Sequence, residues 1–337
     1  MTVRRRGLMA GAAAALALPG IPACAETAEI RISKGYGIDF LPLIVMEHEG
    51  FVEKAAKAAG IPALKAKFLT IDGGNNINDA MLAGALDFAA IGVPGFALLW
   101  SKTFGTPQAI RGVSAVVTMT SYLNTSNPKV KTLADFTEAD RIAVPGIKTS
   151  ANAIILEFGA AKAFGPEHYA KLDPLTVSMP YPEAVQAMLS GGTGIDSNFA
   201  SPPFAYLELA DPKIHTVTNS TEILGKPATL IMAYATERFH AANPKAYGVF
   251  LAALKAAEDF INADKARAAQ IYVESAKVKV SAALVRKVLD DPGNIFTLTP
   301  QGTMLYVDFM HRIGLIKRRP HDWKELFFPE IHDLEGS

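Results

Sequence analysis

The feature that most narrows what this chain can fold into is a stretch that occurs twice. Residues 80–96 read Ala80-Met81-Leu82-Ala83-Gly84-Ala85-Leu86-Asp87-Phe88-Ala89-Ala90-Ile91-Gly92-Val93-Pro94-Gly95-Phe96. Further on, Ala187-Met188-Leu189-Ser190-Gly191 leads through Gly192-Thr193-Gly194 to Ile195-Asp196-Ser197-Asn198-Phe199-Ala200-Ser201-Pro202-Pro203-Phe204. Each copy is an apolar helix end, a glycine stop, an Asp opening a short strand, a Gly- or Asn-containing loop, and a Pro suited to start another helix. That order is half of an α/β unit, and its loop falls at the strand's carboxyl end, where open α/β sheets hold ligands. Two such units predict two similar lobes facing each other across a cleft. Ala-Met-Leu-x-Gly is also ordinary helix-end vocabulary, so the echo by itself leaves coincidence open.

The N-terminus does not read as part of the fold. Arg4-Arg5-Arg6 precede an apolar run from Gly7 to Ile21, then Pro22 and Ala23-Cys24-Ala25, which is a basic region, a short apolar region and a small-x-small cleavage site. The run is too short and too rich in Ala and Gly to span a membrane. Residues 1–25 are expected to be an export signal cut after Ala25. Arg5-Arg6-Gly7-Leu8-Met9 resembles a twin-arginine signal, but paired Arg is common in basic leaders, so both export routes stay open. Cys24 fits a lipid acceptor poorly because Pro22 precedes it, and soluble release is expected. Cleavage would remove the only cysteine of the 337 residues, leaving neither disulfide nor thiol nucleophile. Charge is balanced at 33 basic against 33 acidic residues, so nothing points to nucleic acid as a partner.

Along the remainder, Glu29–Ser33 alternates like a strand and ends in the loop Lys34-Gly35-Tyr36-Gly37, which lacks the third glycine and acidic partner of a dinucleotide fingerprint. A helix follows from Leu41 to Gly50. The stretch 63–71 is a second strand, closing on Asp72-Gly73-Gly74-Asn75-Asn76 before a helix. Gly112–Met119 is β-branched and apolar, continues into Thr120-Ser121-Tyr122, and is expected to leave the first lobe. Arg141–Gly146 is a buried strand, followed by Lys148-Thr149-Ser150-Ala151-Asn152 and a helix from Ala153 to Phe164. Hydroxyls at that helix start can cap orphan amides or, with the positive helix end, settle an anionic group. Asp173–Met179, 214–218 and 228–234 are further strands, the last returning the chain to the first lobe; beyond Pro244 the pattern is helical. The boundaries expected are 29–115 with 236–330 for lobe 1 and 116–235 for lobe 2.

With these residues in view, the chain resembles the solute-binding proteins of ABC importers, in the nitrate, sulfonate and taurine group. The carrying segments are Leu41-Pro42-Leu43-Ile44-Val45-Met46-Glu47-His48-Glu49-Gly50-Phe51, Leu82-Ala83-Gly84-Ala85-Leu86-Asp87-Phe88-Ala89, and Leu133-Ala134-Asp135-Phe136 before Arg141-Ile142-Ala143-Val144. The tail from Val307-Asp308-Phe309-Met310 to Gly314-Leu315-Ile316 and Asp322-Trp323 adds to it. The resemblance implies the type II periplasmic-binding fold: two α/β lobes, a two-crossover hinge, and a ligand in the interlobe cleft. It implies a periplasmic, monomeric protein that takes a small-molecule ligand, partners an inner-membrane ABC permease with its ATPase, and uses no cofactor or metal.

The cleft loops depart from an oxyanion binder. They hold no Arg, and only Lys34 and Lys148 as cations, whereas they supply Tyr36, Asp39, Phe40, Asn75, Asn76, Thr120, Ser121, Thr149, Ser150, Tyr181, Ser197, Asn198 and Phe199 as expected ligand contacts. Hydroxyls and amides beside aromatic faces suit a small organic solute with a planar or apolar part, such as a sulfonate, a carboxylate or a related aromatic or heterocyclic compound, and put inorganic anions in doubt. No catalytic constellation stands out: the seven His form no helical zinc pair, and there is no nucleophile elbow or phosphate loop. Asp87 and Asp196 each open a strand in their own lobe, where capping an amide is the expected job rather than paired acid–base work. The chain is therefore expected not to be an enzyme. The alternatives are an exported sensing or receptor-docking protein, and a pyrimidine-precursor-type protein of the same fold.

Overall fold

The computed structural model describes residues 26–71, 73–276 and 279–337; the expected export signal, including Cys24, lies outside the described residues. The first strand, β1 (Glu29–Lys34), pairs in parallel with β2 (Lys65–Thr70). Between them run α1 (Leu41–His48), opened by Pro42, and α2 (Phe51–Ala58). After β2 come α3 (Gly74–Leu82), β3 (Ala89–Gly92), α4 (Val93–Thr103) and β4 (Ile110–Thr118). The chain then crosses into β5 (Tyr122–Thr125), β6 (Ile142–Val144), α5 (Ala151–Phe164), β7 (Thr176–Ser178), α6 (Tyr181–Ser190), β8 (Ser197–Ala200), α7 (Phe204–Glu208) and β9 (His215–Asn219). It returns through α8 (Ser220–Leu224) to β10 (Thr229–Thr236), and ends in α9 (Glu237–Ala242), α10 (Pro244–Ala263), α11 (Lys265–Ser275), α12 (Ala282–Asp290), α13 (Thr303–Arg312) and α14 (Trp323–Leu326).

Two sheets result, and their orders correspond strand for strand. In the first, the β2–β1 pair meets β3 through the parallel bridge Ile32–Phe88, and β10 lies antiparallel between β3 and β4. In the second the order is β7-β6-β8-β5-β9, with β6 parallel to β7 and β8 and β5 antiparallel to β8 and β9. Each sheet is thus a parallel α/β core with one antiparallel strand that arrives from the other lobe.

The repeat in the sequence has a matching physical basis in both sheets. The helix before each copy ends on a glycine with positive φ, Gly84 at 70° and Gly191 at 64°, a conformation that costs glycine little. Arg31 O accepts from the amides of Asp87 and Phe88, and Arg141 O from those of Asp196 and Ser197. In return Asp87 Oδ2 accepts from Arg31 N at 2.8 Å, and Asp196 Oδ1 from Arg141 N at 3.1 Å. Each aspartate is therefore the clip that starts a strand beside its parallel neighbour.

The expected continuation of Gly112–Met119 through Thr120-Ser121-Tyr122 is broken in the structure. Strand β4 stops at Thr118 and β5 starts at Tyr122, because the intervening residues bond to the other crossing instead of a ladder. Ser121 N donates to Ser220 Oγ and Ser220 N to Ser121 O, and Thr120 Oγ1 lies 2.9 Å from Thr221 Oγ1. Strand β10 sits wholly in the first sheet, so the expected change of lobe at 235–236 falls at the end of that strand rather than before it.

The first lobe's core centres on Phe88, fully buried and stacked on Phe250 at 3.9 Å with 6° between the rings. Aromatic burial of this kind carries the largest share of side-chain stabilisation available to a lobe without disulfides. The C-terminal α13 lies against α4 and also reaches the second lobe, with Phe309 packed 4.9 Å from Phe158 of α5.

Candidate functional site

The carboxyl ends of β1, β2 and β3 face those of β6 and β7 across a crevice with about 700 Å³ of atom-free space, its open mouth included. The first sheet's loops contribute Tyr36, Asp39 and Phe40 after β1, Ile71, Gly73, Gly74 and Ile77 after β2, and Ile91 and Gly92 at the end of β3. The second contributes Pro145, Thr149, Ser150 and Asn152 after β6, and Tyr181 and Pro182 after β7; Leu230 and Ile231 of β10 complete the floor. This is the topological position at which open α/β sheets bind ligands.

Local sequence explains how each side chain is held. Ser150 caps α5, its Oγ accepting from Ala153 N at 3.2 Å, which fixes Thr149 and Asn152 on either side of the helix start. Asn152 is buried, and its Nδ2 donates to Tyr181 Oη at 3.0 Å and also to Phe199 O. Tyr181 stacks on Phe204 at 5.2 Å. Burial pushes the Tyr181 hydroxyl above its ordinary pKa and the charge of Asp39 adds to this, with Ser201 and Asn152 pulling the other way, so it stays a neutral donor. Asp39, 2% exposed, lies just before α1 and its Oδ2 accepts from Ser201 Oγ at 3.4 Å across the cleft. Tyr272 Oη donates to Tyr36 O, tying the loop after β1 to α11.

Two of the contacts between the lobes are related by the repeat. Gly92 lies so close to the start of α5 that an added Cβ would sit 3.2 Å from Ala151 N. Ser201 meets Asp39 in the contact just described. Gly92 and Ser201 occupy the same place in the repeat, five residues after Asp87 and Asp196 respectively, and each reaches the residues that open the first helix of the opposite lobe.

Six of the thirteen expected contacts line this crevice: Tyr36, Asp39, Phe40, Thr149, Ser150 and Tyr181. The other seven are placed elsewhere. Asn75 and Asn76 are in the first turn of α3 but exposed, because the helical rotation that points Ile77 into the crevice carries them out of it. Thr120 and Ser121 build the crossing. Ser197, Asn198 and Phe199 lie inside β8 and are fully buried in the second lobe, where Asn198 Nδ2 donates to Glu208 Oε1. Asn124 Nδ2 donates to the other oxygen of that carboxylate at 2.9 Å, and burial still pushes Glu208 up to about 7. Asn152 and Ser201 are missing from the sequence-based set. An Asn inside the first turn of an apolar helix, and a Ser at the repeat position of Gly92, are the signals that point to them.

Lys34 and Lys148, the two cations of the cleft loops, both turn away. Lys34 Nζ pairs with the Glu47 carboxylate and lies over the Phe68 ring. Lys148, which takes a left-handed φ of 59°, places Nζ 3.6 Å from Asp173. Asp87 and Asp196 stand at the opposite, amino end of their strands, outside the crevice lining.

Fold and crevice together define a two-lobed α/β protein with an open crevice between its lobes. Residues 23–274 match the NMT1-like family, and the chain belongs to it. No curated protein matches the sequence. Among solved structures, the chain is similar to the alkanesulfonate-binding protein SsuA of Xanthomonas axonopodis pv. citri bound to MOPS, with a TM-score of 0.70, 18% identity, and coverage of 88% of this chain and 96% of that one. The periplasmic aliphatic sulphonate binding protein SsuA of Escherichia coli superposes with a TM-score of 0.65 at 15% identity, over 89% of this chain and 97% of that one. The periplasmic nitrate-binding protein NrtA of Synechocystis PCC 6803 gives 0.68 at 15% identity, over 91% and 84%. These likenesses establish the periplasmic-binding fold.

Proposed function

We propose that the chain is the periplasmic solute-binding component of an ABC importer. It captures a small organic solute by closing its lobes and delivers it to an inner-membrane permease with its ATPase. The observation that carries this reading is the crevice itself, lined from the strand ends of both sheets and spanned by direct contacts between the lobes. A ligand drives closure only through differential affinity for the closed state, and only a site that draws contacts from both halves provides it. The hinge falls at residues 119–121 and 220–228, which leaves 29–118 with 229–330 to the first lobe and 122–219 to the second. The aspartates of the repeat serve as strand clips, in keeping with a protein that makes no bonds in its guest. The sulfonate- and nitrate-binding neighbours support transport over sensing. Tyr36, Phe40, Thr149, Ser150, Asn152 and Tyr181 are the residues assigned to the solute, and Asn198 is reassigned to the second lobe's interior.

The test is a thermal-shift screen of sulfonates, carboxylates, amines and heterocycles against the purified chain, followed by small-angle scattering with any hit. Stabilisation of about 2.7 kcal/mol is expected at a hundredfold excess over Kd. A binder that leaves the radius of gyration unchanged, or that is chemically converted by the protein, would overturn the clamp reading.

A further inference from the structure

We propose that Tyr206 is a positioning residue for solute capture, set outside the crevice: its hydrogen bond to Asp291 latches the two lobes in the arrangement that brings both walls of the crevice together. The inference rests on the solute-binding reading and adds what sets the balance between parted and closed lobes.

Tyr206 lies in α7 of the second lobe and Asp291 just past α12 of the first, and neither lines the crevice. Tyr206 Oη donates to Asp291 Oδ2 at 3.3 Å and lies 3.3 Å from Tyr122 Oη, which leaves Tyr122 to donate to it. Lys287, one turn earlier on α12, places Nζ 5.5 Å from the centre of the Tyr206 ring, within cation–π range and again across the lobes. Burial pushes the Tyr206 hydroxyl above its ordinary pKa, and Tyr122 and Asp291 add to the rise, so the proton stays on Tyr206 to be donated.

Both ends of this bond are fixed to their own lobe. Asn124 Nδ2, from β5, donates to Ala205 O at 3.0 Å and to the Glu208 carboxylate at 2.9 Å, gripping α7 on either side of Tyr206. In the first lobe Asp291 Oδ1 accepts from Gly293 N at 2.8 Å, and Asn294 Nδ2 donates to Val288 O at 3.0 Å. Ile295 and Thr118 exchange backbone hydrogen bonds of 2.8 and 2.9 Å, which staples this loop to the end of β4. A hydrogen bond between two such mounts is made or lost when the lobes move. Helix α7 also serves the crevice: Phe204 at its start carries Tyr181, and Ser201 just before it meets Asp39. A latch at Tyr206 therefore holds the Tyr181 wall against the first lobe. Apparent affinity scales with the fraction of molecules already in the binding arrangement, so the latch tightens the hold on a solute it does not touch.

Spin labels at Asp79→Cys on α3 and Gln186→Cys on α6 read the separation of the lobes in the full chain carrying Cys24→Ser; both positions are exposed, on helices that start at opposite walls of the crevice. Pulsed dipolar spectroscopy without solute gives the ratio of short to long separations. Tyr206→Phe, which keeps the ring, is expected to lower that ratio about three- to tenfold, the worth of one hydrogen bond. Asp291→Asn, which keeps an oxygen for Gly293 N, is expected to do the same, and the double variant to do no more than either alone. An unchanged ratio in Tyr206→Phe overturns the latch even where the melting temperature falls, because a purely structural role would lower the melting temperature alone. A shift toward shorter separations overturns it too, and additive shifts in the double variant overturn the pairing with Asp291. No solute enters the measurement, so each of these results leaves the solute-binding reading to the screen above.

Discussion

The two lobes share a strand order and a clip, but fill the shared frame differently. In the first lobe Asp87 accepts three times from Arg31, from the backbone amide, from Nε at 2.9 Å and from Nη2 at 2.8 Å, while Nη1 goes to Gly84 O. In the second, Arg141 gives Asp196 its amide and sends its guanidinium to the carbonyls of Glu138 and Asp140. Asp196 is left facing Asp140. Burial raises the pKa of Asp196, Arg141 N and Ser197 counter it, and the charge of Asp140 adds to the rise. For Asp140 burial works upward too, but hydrogen bonds from Thr137 and Asn127 outweigh it and hold its carboxyl below the ordinary range. One lobe has paired its clip with a cation; the other has made it share a site with a second acid. The next position differs as well: Phe88 anchors an aromatic stack, and Ser197, its counterpart, sits between Thr125 Oγ1 and Asp196 Oδ1. A common backbone scheme thus tolerates an apolar interior on one side of the crevice and a polar one on the other.

The largest expected effect separates these interiors. Phe88→Ala should cost about 3–5 kcal/mol by leaving a cavity under Phe250, whereas Ser197→Ala should cost about 1 kcal/mol, the worth of one hydrogen bond. Denaturant melts of the two variants measure this, and equal losses would erase the contrast.

Next is pH. Glu208 has a folded pKa of about 7 against an ordinary value near 4.5, so the folded state holds the proton more tightly. Its protonation therefore adds stability as pH falls from about 7 toward 4.5, on the order of 3 kcal/mol over the window, and takes it away as pH rises through 7. The difference in stability between wild type and Glu208→Gln, followed across that range, should carry the slope.

The clips come third. Asp87→Asn should destabilise by about 1.5–3 kcal/mol, since it breaks hydrogen bonds to a charged partner. Asp196→Asn removes a charge that burial and Asp140 already disfavour, and should cost less than Asp87→Asn. A matching loss at both sites would mean that Arg31 adds nothing to the clip.

The smallest expected effect concerns the crevice. Gly92→Ala places a methyl 3.2 Å from Ala151 N, which holds the lobes slightly apart and should weaken solute binding by about three- to tenfold with little change in stability. Calorimetry with any solute from the screen, beside a melt, checks both parts.

How much of this was readable from the residues depends on what each reading rested on. The repeat is a backbone device, a glycine stop and an aspartate before a strand, and such devices are local; both copies could be recognised and placed. The loops after β1, β6 and β7 were readable for the same reason, since a residue one or two positions past a strand end has few directions in which to point. Asn75 and Asn76 depended on the rotation of α3, which is set by how Ile77 packs. Ser197 and Asn198 depended on knowing that β8 hides a carboxylate from α7, a contact between elements that no periodicity carries. Thr120 and Ser121 looked like cleft residues because hydroxyls beside a strand end serve ligands and chain crossings equally well.

The paired crossings at Ser121 and Ser220 also bear on the order in which the molecule assembles. All five strands of the second sheet lie between those two residues, so everything it needs emerges from the ribosome in one piece. The first sheet waits for β10, which is made only after the entire second lobe and then slots between two strands synthesised more than a hundred residues earlier. Closing that long loop is the slower event, so the later-starting half is expected to be finished first, and pulse-labelled hydrogen exchange during refolding should find β6 and β8 protected ahead of β3 and β10.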